Sequence, residues 1–230
     1  MLQQVLSNGF HISDIIAYIL SAALVIFLTL PIHEYAHART AVKLGDPTPR
    51  YQGRLTLNPF AHIDYIGSLL ILLVGFGWAK PVPVNARNFR NPKAGMAITA
   101  IAGPLSNLIV AFLSLLVFNA IAFFWPLAYI SRWGLLILNI FGFLASINIS
   151  LAVFNLIPIP PLDGSRVLTA VLPDRIYYKI MQYEQLIMIA LFALLFFGFL
   201  SGPLSILTSW AWDGLNGLAA LPFRLLAGLR

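Results

Sequence analysis

Long apolar segments alternate along this chain with short polar connections that contain proline. The longest apolar segments cover residues 15–42, 94–125, 133–157 and 186–200. A helix needs roughly 20 mainly apolar residues to cross the hydrocarbon core of a bilayer. The pattern therefore predicts an all-α polytopic membrane protein with about four to six transmembrane helices.

Three other segments have a different character. Residues 66–78 are apolar over 13 positions, a length typical of a re-entrant or interfacial segment. Residues 51–57 alternate between polar and apolar side chains, which favours a short β-ribbon near the membrane surface. The tail at residues 203–230 fits either a short span or an amphipathic surface helix.

Composition indicates that lipid is the main solvent of the chain. Hydrophobic residues make up 60% of the 230 residues and charged residues 10%, and the mean hydropathy is +0.86. We expect one transmembrane domain over residues 1–230, without a separate soluble domain. The lack of cysteine excludes disulfides and thiolate metal ligands. The first ten residues carry no Lys or Arg, so a cleaved signal peptide is not expected.

The basic residues lie in the connections between the apolar segments. Eight of the 14 Lys and Arg residues fall within residues 39–93 and three within 166–179, whereas Arg132 alone follows the second long segment. Because cytoplasmic connections are enriched in Lys and Arg, we expect the first two regions to face the cytoplasm and residues 66–78 to re-enter. The basic excess thus indicates topology, and nucleic acid is not expected as a partner.

The second half of the first apolar segment contains an H-E-x-x-H motif, formed by His33, Glu34 and His37. Residues four apart share one face of an α-helix, so the two imidazoles can bind one metal ion while Glu34 projects beside it, within reach of a water. A charged side chain at mid-membrane costs roughly 2.5 kcal/mol or more, and a divalent cation would compensate this cost. The alternatives are that neighbouring helices satisfy these side chains without a metal, or that the side chains lie at the membrane interface at a helix end.

Asp163 is the best candidate for the third protein ligand that a catalytic zinc site usually has. It follows the third long segment directly, after the prolines Pro158, Pro160 and Pro161. Prolines cannot continue a helix and leave backbone carbonyls unpaired, and a membrane tolerates such backbone only where it is buried in protein or lines a polar cavity. The alternative role of Asp163 is an N-cap for a helix that begins near Ser165.

The other acidic residues and histidines are less suited as ligands. Asp14 precedes His33 by 19 positions on the same expected helix, a separation of roughly 28 Å at 1.5 Å per residue. Among the other acidic residues and histidines, His62 would approach the site if the polar loop folds over it. We expect the remainder at helix ends, in turns or in solvated loops: His11, Asp46, His62, Asp64, Asp174 and Asp213.

Together these residues resemble the site-2 protease family of intramembrane zinc metalloproteases. The likeness covers residues 31–174 and depends on two motifs, His33-Glu34-Tyr-Ala-His37 and Asn155-Leu-Ile-Pro-Ile-Pro-Pro-Leu-Asp163-Gly164. Gly103-Pro104-Leu-Ser-Asn107 also looks like an element of that family, with packing as the cautious role for Asn107. The segment Trp78-Ala-Lys80-Pro81-Val-Pro83-Val-Asn85 is similar to compact bacterial and archaeal members, which lack PDZ and CBS domains.

The resemblance implies a three-helix catalytic core at about residues 14–174, followed by C-terminal helices at about 186–230. It implies one Zn²⁺ per chain, with His33, His37 and Asp163 as ligands, Glu34 as the proton-transferring residue and Asn155 as the group that binds substrate and polarises its carbonyl. The implied reaction is hydrolysis of peptide bonds within or near transmembrane segments of membrane protein substrates. The implied location is the cell membrane, with several spans and the active site toward the cytoplasm.

Three questions stay open at this stage. The residues Arg54, Leu55, Thr56 and Leu57 are predicted to pair with an extended substrate by β-addition, with a plain surface loop as the alternative. A metal transporter would use the same ligands without hydrolysis, but it would carry further ionisable residues along its other spans. A catalytically idle relative would be expected to lack Glu34. The sequence does not indicate an oligomeric state.

Overall fold

The regular structure of this protein is helical. The computed structural model describes residues 12–74, apart from the side chain of residue 74, and residues 77–228, and no β-strand occurs within them. The α-helices are α1 (Ile12–Leu24), α2 (Leu30–Lys43), α3 (Thr48–Tyr51), α4 (Tyr65–Val74), α5 (Pro92–Phe124), α6 (Arg132–Asn155), α7 (Asp163–Val171), α8 (Asp174–Met181), α9 (Glu184–Phe196) and α10 (Ser201–Gly228). A π-helical turn, Val25–Thr29, joins α1 to α2, and short 3-10 turns occur at Pro59–Ala61, Ala86–Asn88 and Pro126–Tyr129.

Helix α5 is the central element of the fold. It packs along α2, α6, α7 and α10, while α1 and α10 also pack against α6. Its start is defined by Asn91, whose side chain accepts a hydrogen bond from the backbone N–H of Ala94 (3.2 Å), and by Pro92 at the first helical position. One apolar cluster joins α1, α2, α4 and α6 and includes Tyr18, Ile71 and Ile147. Helix α2, which carries the H-E-x-x-H motif, is therefore packed against α5 and joined by this cluster to α1, α4 and α6.

Three continuous helical segments are long and apolar enough to cross a membrane. They are Ile12–Lys43 with 32 residues, Pro92–Phe124 with 33 and Arg132–Asn155 with 24. Helices α8 and α9 meet at a bend of 64° and would provide a fourth span if the pair crosses together. The described residues therefore support three or four spans, and the higher counts of five or six predicted from the sequence are not confirmed.

The tail forms one long helix, α10, that packs against α5 and α6. Ala219 and Ala220 are buried in this contact, and Asn119 of α5 donates a hydrogen bond to Asn216 of α10 (2.9 Å). Asp213 lies inside α10, so the prediction of a turn at this residue was wrong. The glycine that follows Asp213 does not end the helix, because neighbouring turns of α10 continue to be supported by packing on both sides of it.

Residues 51–57 form no β-ribbon, so that prediction was wrong. Tyr51 ends α3, and Gly53 turns the chain with a φ of +68°, a value that favours glycine. The loop satisfies its own polar groups, since the Arg54 guanidinium donates to the Ala61 carbonyl and the His62 ring donates to the Thr56 carbonyl (2.8 Å). The alternation of polar and apolar side chains over this short segment therefore did not produce a strand, because hydrogen bonds from side chains of the loop stabilise a different backbone conformation.

Helix α4 has 10 residues, which corresponds to roughly 15 Å, or half of the hydrocarbon thickness. It is too short to span alone. The predicted re-entrant segment at 66–78 includes residues 75 and 76, which lie outside the described residues. His11, which was expected before the first helix, also lies outside them. Residues 77–85 have no regular secondary structure, and the Lys80 N–H donates to the His62 carbonyl (2.8 Å). Re-entry into the bilayer stays a prediction.

Two side chains of the polar loop are buried, so the expectation that they are solvated was wrong. His62 and Asp46 are both 0% exposed. Asp46 accepts hydrogen bonds from the Asn85 N–H (2.7 Å), from Asn88 Nδ2 (2.7 Å) and from Thr48. Burial raises the pKa of the Asp46 carboxyl, but the hydrogen bonds from Thr48, Asn88 and Asn85 lower it below its usual range. An ionised Asp46 thus links Asn85 and Asn88 by hydrogen bonds to the turn that follows α2.

Candidate metal and active site

His33 and His37 lie one turn apart on α2, with their Nε2 atoms 3.0 Å apart. Both rings are buried. His37 Nδ1 donates a hydrogen bond to the Thr99 carbonyl of α5 (2.7 Å). Because a carbonyl can only accept, this bond places a proton on Nδ1, and in the neutral ring Nε2 then keeps the lone pair that a metal ligand requires.

Asp163, in the C-terminal half of the chain, lies close to both imidazoles. Its Oδ2 lies 3.3 Å from His33 Nε2 and 3.3 Å from His37 Nε2. Helix α6 ends at Asn155, two residues earlier than predicted, and the proline-containing turn that follows directs α7 back so that Asp163 is its first residue. The N-cap position belongs to Leu162 and has no side-chain cap. The alternative role of Asp163 as an N-cap is therefore not adopted.

The three atoms fit the ligand positions of a tetrahedral zinc ion. Zinc bonds of about 2.0–2.1 Å in tetrahedral geometry separate neighbouring ligand atoms by about 3.3 Å, and the three separations are 3.0, 3.3 and 3.3 Å. Asp163 Oδ2 is buried and has no hydrogen-bond partner among the described residues. A divalent cation between the two imidazoles and Asp163 would satisfy this buried oxygen.

Gly103 of α5 leaves room for both imidazoles. A Cβ atom at this position would overlap His37 Nε2 and lie 2.6 Å from His33 Nε2. The next residue, Pro104, has no N–H and cannot donate to the backbone carbonyl of Ala100 in the preceding turn. Gly103 therefore allows α5 to approach the two imidazoles closely.

The Gly103→Ala variant is expected to bind zinc about 10- to 100-fold more weakly, because the added methyl group displaces the imidazoles from their ligand positions. The measurement is a competition titration of the purified variant with a zinc chelator. The matched control is Gly142→Ala in α6, where the added Cβ would meet only Phe118 Cε2, at 3.9 Å. Equal zinc affinity in both variants would contradict the role given to Gly103.

Glu34 lies beside the candidate ligands and is hydrogen-bonded to the segment at residues 77–85. Its carboxylate is buried, and Oε2 accepts a hydrogen bond from the Val82 N–H (3.0 Å). The segment at residues 77–85 thus positions Glu34, the predicted acid–base residue, through its backbone.

The ligand cluster lies between two cavities. The first, here called the apolar cavity, has a volume of about 410 Å³ and is lined mainly by Leu30, Trp78, Leu151, Phe154, Leu191 and Phe192. Asn107 and Asn155 add amide groups to its lining. The second, the polar cavity, has a volume of about 230 Å³, and its polar lining comes from Glu34, His37, Thr99, Asp163 and Arg166. Glu34 and Asp163 line both cavities and separate an apolar space from a polar one.

The structure brings together most of the residues that the sequence pointed to. Asn155 is the last residue of α6 and lines the apolar cavity beside His33 and Glu34. The predicted substrate residues Arg54, Leu55, Thr56 and Leu57 line neither cavity, and His62 is not part of the ligand cluster.

Several site residues were missed from the sequence, among them Arg166, Val82 and Thr99. Arg166 lines the polar cavity three positions after Asp163, and this spacing on one helix face was a signal that could have revealed it. Val82 contributes only its backbone N–H, for which no side-chain pattern exists.

Comparison with known proteins agrees with this geometry. Residues 127–198 match Peptidase family M50. The "Putative zinc metalloprotease YwhC" of Bacillus subtilis is 40% identical over 167 residues, which are 69% of this chain and 72% of that protein. The chain belongs to peptidase family M50, the site-2 protease family. This M50 protease is also 32% identical over 142 residues to "Putative zinc metalloprotease Rip2" of Mycolicibacterium smegmatis, covering 60% of this chain and 51% of that relative.

A third relative is archaeal. "Putative zinc metalloprotease MJ0611" of Methanocaldococcus jannaschii is 33% identical over 142 residues, 59% of this chain and 62% of the relative. No solved structure gives a significant match. The resemblance stated from the sequence is confirmed, the protein is a zinc metalloprotease, and membership of this family favours a protease over a metal transporter.

Proposed function

We propose that this M50 protease hydrolyses peptide bonds within or near the transmembrane segments of membrane proteins, with zinc held by His33, His37 and Asp163. The position of the ligand cluster between the apolar and polar cavities carries this proposal. An apolar substrate segment fits the apolar cavity, whereas water is favoured in the polar cavity. The two reactants therefore reach the ligands from different sides.

The residues of the chain divide the chemistry between them. Bound zinc would supply a Lewis acid that lowers the pKa of water toward neutrality and polarises the peptide carbonyl. Glu34 takes the proton of the attacking water and delivers it to the leaving amide nitrogen. Asn155 donates from its side-chain amide to the carbonyl oxygen as negative charge develops there.

A helical substrate must unwind before it reaches these groups, because its backbone carbonyls are paired within the helix. Unwound backbone is unfavourable in an apolar space unless protein groups satisfy it. Strand pairing with Arg54–Leu57 is not part of the proposal, since those residues form no strand and line neither cavity. The substrate backbone is instead satisfied inside the apolar cavity.

The basic end of the helical bundle supports a multi-pass arrangement with the active site toward the cytoplasm. Lys93 forms an ion pair with Asp174 (2.8 Å), which brings the start of α5 to the start of α8. Thr99, the partner of His37, lies seven residues after the start of α5, or roughly 10 Å along the helix. The ligands thus lie about one third of the bilayer thickness below an end rich in Lys and Arg, the end expected to face the cytoplasm.

A cleavage assay in proteoliposomes tests the proposal. Purified protein and a single-span substrate are reconstituted together, and the cut position is determined by mass spectrometry. We expect a cut within or beside the span that stops when a zinc chelator is added and resumes on addition of Zn²⁺. A matched substrate with a span of leucine only should resist cleavage, because it unwinds less readily. Cleavage that continues in the chelator would contradict the proposed function.

A further inference from the structure

Asn107 is a buried amide without a hydrogen-bond partner. Its side chain is 1% exposed, and neither Oδ1 nor Nδ2 has a partner among the residues that the structure describes. It lies on α5 one turn after Gly103 and lines the apolar cavity together with His33, Glu34 and Asn155. The unpartnered amide therefore lies within the same space as the proposed acid–base residue.

Three other asparagines of the long helices, Asn119, Asn139 and Asn148, each donate at least one hydrogen bond. Asn119, on the same helix, donates to the Leu115 carbonyl and to Asn216 Oδ1. Asn139 donates to Asp14 Oδ1 (2.7 Å), and Asn148 donates to the Leu144 carbonyl (2.8 Å). A buried polar group without a partner is unfavourable, so a side chain with both polar atoms unpaired requires an explanation. Packing alone does not provide one, because leucine has a similar size and carries no such penalty.

We propose that Asn107 binds a peptide group of the unwound substrate segment, next to the bond that is cut. This inference rests on the proposed function of the site. The side-chain amide offers one acceptor, Oδ1, and donors on Nδ2, which complement the N–H and C=O of an extended backbone. Asn107 thus satisfies substrate backbone inside the apolar cavity, while Asn155 serves the reacting carbonyl. Because this contact involves only the substrate backbone, it positions the segment without selecting for particular substrate side chains.

Replacement of Asn107 by leucine separates this role from packing. The Asn107→Leu variant is expected to lower kcat/KM by about 10- to 100-fold, the effect of losing one or two hydrogen bonds to substrate. Its zinc content is expected to stay unchanged and its melting temperature to stay equal or rise, because a buried unpaired amide is removed. The control Asn119→Leu breaks the pair with Asn216 and is expected to lower the melting temperature while kcat/KM of the folded protein is retained.

Ester substitution in the substrate provides the decisive measurement. Single-span substrates are synthesised in which one backbone amide at a time, other than the scissile one, is replaced by an ester that lacks the N–H donor. In the wild type, the ester opposite Asn107 Oδ1 should lower kcat/KM by about 3- to 10-fold. In Asn107→Leu the same ester should have no further effect. If the leucine variant does not fold, Asn107→Ala is carried through the same series.

Two results would overturn the inference while the proposed function stands. One is cleavage of the all-amide substrate by Asn107→Leu at the wild-type rate, and the other is an equal loss in wild type and variant at every ester position. Failure of the wild-type protein to cleave the all-amide substrate would instead reject the proposed function, and the inference with it.

Discussion

The Glu34→Gln variant is expected to keep its zinc and to cleave about 100- to 10,000-fold more slowly than the wild type, because an amide cannot take a proton from water. Glutamine has nearly the same shape, and its Oε1 can still accept the Val82 N–H that holds Glu34. The measurement pairs kcat on a single-span substrate with the zinc-to-protein ratio from elemental analysis.

The chain offers a matched control in its other glutamate. Glu184 lies at the start of α9, is paired with Arg166 (3.5 Å) and lines neither the apolar nor the polar cavity. The Glu184→Gln variant is expected to keep both zinc and wild-type cleavage. Retained proteolysis by purified Glu34→Gln protein would refute the role assigned to Glu34.

Replacing Asp163 by alanine is expected to remove both zinc and cleavage. The change deletes the carboxylate that completes the ligand set and leaves two neutral imidazoles 3.0 Å apart, which hold zinc much more weakly than three ligands with a negative charge. After dialysis, the zinc content should fall well below one ion per chain. The His37→Ala variant is expected to behave in the same way.

The control for this change is Asp174→Ala. Asp174 is the first residue of α8, as Asp163 is of α7, but its partner is the ammonium group of Lys93 and its side chain is 67% exposed. This variant should keep a full zinc complement. An unchanged zinc content in Asp163→Ala would move the third ligand to another residue.

The part of the site that lies on one helix was predictable because its geometry is local. Residues four apart on an α-helix face the same way, so the distance between His33 and His37 follows from their spacing alone. Asp163 was predictable for a different reason, since the prolines before it break the helix where a membrane protein tolerates no exposed backbone. The prediction of zinc as the metal is supported by the membership of the chain in this family of zinc metalloproteases.

The polar loop was predicted less well because its structure depends on long-range contacts. The burial of Asp46 comes from Asn85 and Asn88, about 40 positions later in the chain, and no local pattern signals such a pairing. The alternation at residues 51–57 was too short to compete with hydrogen bonds from the loop's own side chains. The bend between α8 and α9 likewise has no proline at its centre to reveal it.

The unequal character of the two cavities bears on how small molecules would inhibit this protease. A compound with a zinc-binding head and a hydrocarbon tail would bind the zinc that the imidazoles and Asp163 hold and would place its tail in the apolar cavity. Each buried methylene group adds about 0.8 kcal/mol, so potency should increase with lipophilicity until the 410 Å³ of the apolar cavity are filled. Water-soluble chelators of equal metal affinity lack this apolar contact and should therefore be weaker inhibitors.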